Sequence, residues 1–128
     1  MYRLLGDIVI DTDELIENLA QNQIRVAENV TNATKRDDAV GLRIYVPLKE
    51  LGADAESFDE NEMEDLMQKA EKLYSEKLRP LLPEELSFKV YAYFYDEVGS
   101  AIVLNFVMME WEIARRKLDD VLKRLFDV

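Results

Sequence analysis

The chain has 128 residues, a net charge of −11, no cysteine and no histidine. That length is one domain, 1–128, and the composition excludes disulfides, thiolate nucleophiles, zinc ribbons, iron–sulfur ligation and histidine general-base chemistry. The charge opposes binding to nucleic-acid phosphate or anionic lipid and favours a basic protein surface as partner.

Apolar residues make up 48% and charged residues 34%, the balance of a globular protein that closes its own core. No apolar run approaches the roughly twenty residues of a membrane helix, and the start Met1-Tyr2-Arg3-Leu4-Leu5-Gly6-Asp7 carries no secretory pattern. The expectation is an intracellular, cytoplasmic protein. Abundant Glu and Lys without cysteine is also the bias of thermophile proteins.

Tyr2 to Ile10 reads as a first strand with apolar residues on both faces, which suits a central strand. Asp11 or Thr12 caps a following helix, with Asp13 and Glu14 at its positive dipole end. Leu15, Ile16, Leu19, Gln23, Val26, Ala27, Val30 and Ala33 keep helical spacing, so the helix is predicted to run to about Lys35. The sequons at Asn29 and Asn32 fall inside it.

After a turn at Asp37, Asp38 and Gly41, a second strand alternates through Leu42, Ile44, Val46 and Leu48. Pro47, which cannot donate to a ladder, places it at an edge or ends it. A second helix starts from a capping box, Ser57 with Glu60 or Asp59 with Glu62, and turns Met63, Leu66, Met67, Ala70, Leu73, Tyr74 and Leu78 inward. Pro80 and Pro83 end it. Leu86 to Met109 then holds two strands joined through Asp96 to Gly99, where glycine permits a positive backbone angle, with Tyr91, Tyr93 and Tyr95 on one face. A last helix begins near Glu110 and turns Trp111, Ala114, Leu118, Val121, Leu122, Leu125 and Phe126 to one side. No repeat, linker or low-complexity segment interrupts the chain.

The order is βαβαββα, an α+β (mixed α/β) class with one four-stranded mixed sheet and helices on both faces. This order resembles the minimal thioredoxin-like topology, with Pro83 ahead of the third strand. That fold's redox cysteine pair has no counterpart near Asp11 to Leu15, so thiol exchange is excluded whatever the topology. In that arrangement Ser100 to Met109 is an open, chargeless edge, which invites pairing with a second copy. Val103, Phe106, Met108 and Trp111 are the expected dimer interface.

Three functional readings follow. The leading one is a small acidic non-enzymatic protein that acts through protein–protein contacts, as a homodimer and without a cofactor. Its acidic run from Glu50 to Asp65 holds no lysine or arginine, and Glu56, Asp59, Glu60, Glu62 and Glu64 would steer a basic partner. A second reading takes the same carboxylates as phosphate mimics that occupy the nucleic-acid site of a basic protein, as small phage and viral inhibitors do. The third rests on Ile8-Val9-Ile10-Asp11-Thr12-Asp13, two carboxylates one residue apart after a strand. This stretch resembles the first motif of haloacid-dehalogenase-type phosphatases, which implies magnesium at Asp11 and Asp13 and phosphoryl transfer or nuclease chemistry. The competing account of the two acids is helix capping.

Overall fold

The computed structural model describes residues 1–53 and 58–127. Among the described residues, six strands and three α-helices alternate as three successive hairpins, each followed by a helix. They are β1 (Tyr2–Leu5), β2 (Ile8–Asp11), α1 (Thr12–Gln21), β3 (Arg25–Asn29), β4 (Ala39–Pro47), α2 (Glu60–Leu78), β5 (Leu86–Asp96), β6 (Ala101–Glu110) and α3 (Trp111–Arg124). The class is α+β, and the four-stranded sheet has the order β3-β4-β6-β5. Every neighbouring pair in it is antiparallel, not mixed, so it lacks the parallel pair that the thioredoxin-like resemblance implies.

Two local features account for the changed order. Gly6, at φ +63°, takes the first central position of a two-residue turn and folds the predicted first strand into the β1–β2 hairpin, outside the main sheet. The first helix stops at Gln21 rather than Lys35. Gln23 adopts φ +59°, its N–H reaches Ala20 O at 3.1 Å, and Ile24 N–H reaches Leu19 O at 2.9 Å. This is a Schellman ending, and its customary apolar contact is supplied by the fully buried Leu19 and Ile24. Of the residues that continued the helical spacing, Val26 and Ala27 fall in β3, and Val30 and Ala33 in or beside the 3-10 turn over Thr31–Thr34, so the Asn29 sequon begins at a strand end and the Asn32 sequon lies in that turn.

One face of the sheet, carrying Val40, Leu42, Ile44, Val46, Ile102, Leu104, Phe106 and Met108, packs against α1, α2 and the inner side of the β1–β2 hairpin. The opposite face, through Ala39, Val107 and Met109, packs on Ala114, Val121, Leu122 and Leu125 of α3 and its extension. Helices therefore cover both faces. Gly41 lets the Thr31–Thr34 turn approach β4: a Cβ there would lie 2.9 Å from Thr34 Cγ2 and 3.2 Å from Val30 O. Thr31 Oγ1 accepts from Gly41 N–H and donates to Asn29 Oδ1, so the crossing is hydrogen-bonded as well as close.

β6 is interior, not the open edge expected of it. Ala101 to Met109 contains no charged residue, and the strand is buried on both faces and paired on both sides. The absence of charge marks the middle of a sheet, where both sides are covered. β4 is interior too and stops at Pro47, whose missing donor falls at the strand end. The edges are β3 and β5.

β5 carries a bulge between Ala92 and Phe94. The extra residue splits the tyrosine row: Phe126 meets Tyr91 and Tyr93 edge-on at 5.7 and 5.4 Å, whereas Tyr95 turns to the other face and meets Phe58. In the hairpin turn the positive angle falls on Ser100, at φ +50°, rather than on Gly99. No helix among the described residues is long and apolar enough to cross a membrane.

Candidate functional site

The sequence places Asp11 at the end of β2, where backbone N–H groups of the first turn of α1 lack helical partners. Asp11 is the cap: its Oδ1 accepts from Asp13 N–H at 3.1 Å. The Met1 ammonium lies 3.5 Å from both Asp11 and Asp13. Among the described residues no group of three or more carboxylates converges into an arrangement that could hold a metal ion.

Asp11 instead forms part of a groove of about 460 Å³ between β2, α1 and the segment after α2. Val9, Ile10, Leu15, Leu81 and Pro83 supply its apolar wall, while Glu14, Glu17, Asn18 and Gln21 line it from α1. Those four positions follow the three-and-four spacing of one helix face. The charged lining residues are Asp11, Glu14 and Glu17, all acidic.

The groove opens onto the outer face of the β1–β2 hairpin. Strand alternation sends Leu5, Ile8 and Ile10 to the core and leaves Tyr2, Leu4 and Val9 outward at 70%, 57% and 63% exposure. Leu4 and Val9 are direct cross-strand neighbours, so the exposed apolar surface is continuous. The sequence marks Asp11 and Glu14 as acids of a helix start but gives no sign of Glu17 or the apolar wall, because Leu81 and Pro83 arrive from a distant segment.

The acidic run divides by role. Asp59 and Glu62 form the reciprocal capping box of α2, with Glu62 N–H donating to Asp59 Oδ1 at 2.8 Å. Asp59, Glu60, Glu62 and Glu64 are solvent-exposed on its first turns, and Glu56 lies outside the described residues. Glu50 is not a free member of the run. Both its oxygens sit 3.0 Å from the buried Tyr74 hydroxyl, and Lys77 Nζ is 3.3 Å away. Burial, and then the negative charge of Glu50, push the Tyr74 phenol well above its ordinary range.

Of the expected interface residues, Val103, Phe106 and Met108 are buried within the sheet and offer no surface. Trp111 is half-exposed, with the Arg115 guanidinium 5.1 Å from its ring. The basic residues of α3 are partly engaged. Arg124 donates to Thr34 O at 2.7 Å, and Arg115 lies 3.9 Å from Glu112. Asp119 meets Lys89 at 2.8 Å, a hydrogen bond that holds its carboxyl below the usual range.

The chain matches no protein-family model, no curated protein and no solved structure.

Proposed function

We propose that this protein is a small non-enzymatic binding domain that engages a basic partner protein through the groove between β2, α1 and the Leu81–Pro83 segment. One observation carries the reading: a groove with one apolar wall, whose charged lining is entirely acidic, continuous through Val9 with the exposed Leu4–Val9 face. A cationic segment with one apolar side fits both features, burying its apolar residues against Val9, Leu81 and Pro83 while its lysines or arginines meet Glu14 and Glu17. The overall charge and the exposed turn of Glu60, Glu62 and Glu64 raise the encounter rate with such a segment.

The test uses a short synthetic peptide of lysine and leucine, amphipathic as a helix, beside the same peptide with glutamate for lysine. Amide shifts in NMR titration should concentrate at Val9, Ile10 and Asn18 for the cationic peptide and be absent for the anionic one. Reversing two rim charges with Glu14→Lys and Glu17→Lys should weaken binding by about tenfold or more, a difference near 1.4 kcal/mol. Val9→Ser should weaken it with the salt dependence unchanged. Shifts spread evenly over all acidic surface, or an affinity indifferent to the charge reversals, would overturn the reading.

A further inference from the structure

We propose that the outer edge of β5 pairs antiparallel with β5 of a second copy, joining two four-stranded sheets across a twofold axis at Val90. Three hydrogen bonds fix which backbone groups face outward. Leu86 N–H donates to Pro83 O at 3.2 Å, Leu86 O accepts from Arg79 Nη1 at 3.2 Å, and Ala92 N–H donates to Glu71 Oε2 at 3.2 Å. None of these partners belongs to β6. Alternate residues from Leu86 to Ala92 therefore turn their N–H and C=O away from the sheet. Phe88 and Val90 lie between the satisfied ends, and no group among the described residues bonds their outward backbone atoms.

The other edge is blunted. β3 is short, broken by a bulge between Val26 and Glu28, and carries exposed Arg25 and Glu28. β5 is the longest strand, and its register is regular from Leu86 to Ala92.

A balanced border and self-complementary geometry point to a second copy as the occupant. Beside β5 on the α3 side runs a groove of about 350 Å³ lined by Lys89, Tyr91, Asp119, Leu122, Lys123 and Phe126. It holds Lys89 and Lys123 against Asp119, and Glu71 reaches the same edge, so this border is close to neutral in a chain of net charge −11 and two copies meet here without the repulsion of their acidic faces. Two identical antiparallel edges also form a closed, self-complementary contact. With Val90 on the axis, Phe88 stands opposite the partner's Ala92, and Lys89 opposite the partner's Tyr91, a cation beside a half-exposed ring. Moving the axis to Lys89 would set the two lysines against each other. The Val90 register requires Glu71 to release Ala92 N–H, which makes Glu71 the group that limits pairing. A ladder from Phe88 to Ala92 is short, and the dimer is accordingly weak and reversible.

Sedimentation equilibrium and amide hydrogen exchange, both over a dilution series up to about millimolar, test this on the intact chain. Mass should rise toward twice the monomer, and the amides of Phe88 and Val90 should gain protection with concentration while those of β3 do not. Glu71→Ala should shift the transition to lower concentration. Tyr91→Lys, which places lysine opposite Lys89, should abolish the dimer, with circular dichroism showing that the variant is folded. A monomer throughout, or a dimer in which Phe88 and Val90 exchange as fast as at high dilution, would overturn the proposal. The exchange measurement on the unaltered protein decides the matter even if a variant misfolds.

Discussion

Replacing Tyr74 by phenylalanine removes one hydroxyl from a fully buried ring and changes nothing else in its packing. The hydroxyl hydrogen-bonds the Glu50 carboxylate at 3.0 Å. A bond to a charged acceptor contributes about 1.5–3 kcal/mol. Glu50 keeps Lys77 at 3.3 Å and remains 30% exposed, so the loss falls at the lower end, about 1.5 kcal/mol at neutral pH. In a chain of this length that lowers the melting temperature by roughly 5 °C. The pH dependence is the sharper measurement. Burial, then Glu50, raise the folded-state pKa of Tyr74, whereas the unfolded chain ionises near pH ~10. The contribution is therefore fully present below about pH 10 and declines as pH rises toward the folded value, by roughly 1.4 kcal/mol per pH unit. Urea unfolding of the two proteins across this range, read as a difference, should show a gap that is constant below about pH 9 and nearly closed at about pH 11. A gap that persists unchanged through the alkaline range, or none at neutral pH, would refute the argument that Tyr74 is held neutral by its surroundings.

Gly41→Ala should destabilise by about 1–3 kcal/mol in denaturant melts, because its new methyl meets Thr34 Cγ2 and the Val30 carbonyl, which the threonine network holds in place. Phe106→Ala should cost about 3–5 kcal/mol in the same assay, as expected of an interior strand and not of an exposed interface. Asp38 accepts from Arg36 Nε at 2.7 Å and Nη2 at 2.9 Å, and that pair holds its carboxyl below the usual range. Its contribution is present above about pH 4 and is lost as pH falls through the depressed folded value, so Asp38→Asn should flatten the acid limb of the stability curve. Gly6→Ala sets a Cβ 2.6 Å from Glu110 Cγ at φ +63°. Hydrogen exchange should then show the β1–β2 hairpin opening while β4 and β6 stay protected.

Features fixed by neighbouring residues were legible in the sequence. The Asp59–Glu62 box, the Glu110 start of α3 and the β5–β6 hairpin each depend on a few adjacent side chains, and all three stand where the residues put them. The end of α1 was not legible, because its left-handed residue is Gln23 and not the glycine or asparagine that usually marks such a stop. Val26, Ala27, Val30 and Ala33 then extended a helical spacing that the chain does not use. Gly6-Asp7 was a visible hairpin signal, overridden by the apolar continuity of the residues around it. Strand order is a non-local property. A central first strand leaves β6 at an edge, whereas its lack of charge from Ala101 to Met109 belongs to the interior.

Asp11 and Asp13 read two ways from sequence, as metal ligands and as helix-start acids, and the groove adds Glu14 and Glu17 beside Asp11. A short helix needs negative charge in its first turn whatever else it does, and Asp11 and Asp13 meet that need. Glu17 lies beyond that turn and gains nothing from the dipole, yet it faces the same cavity as Asp11 and Glu14. Helix stability therefore explains the first acids and leaves Glu17 to the groove. The adjoining hairpin has a similar imbalance. A two-stranded sheet is marginal by itself, and β1–β2 packs on the core through its inner face, by Leu5, Ile8 and Ile10, while Tyr2, Leu4 and Val9 are left in solvent. A segment bound across Val9 would shield that outer face and meet Glu17 in one contact. Binding should then raise the hairpin's exchange protection more than that of the β4–β6 core.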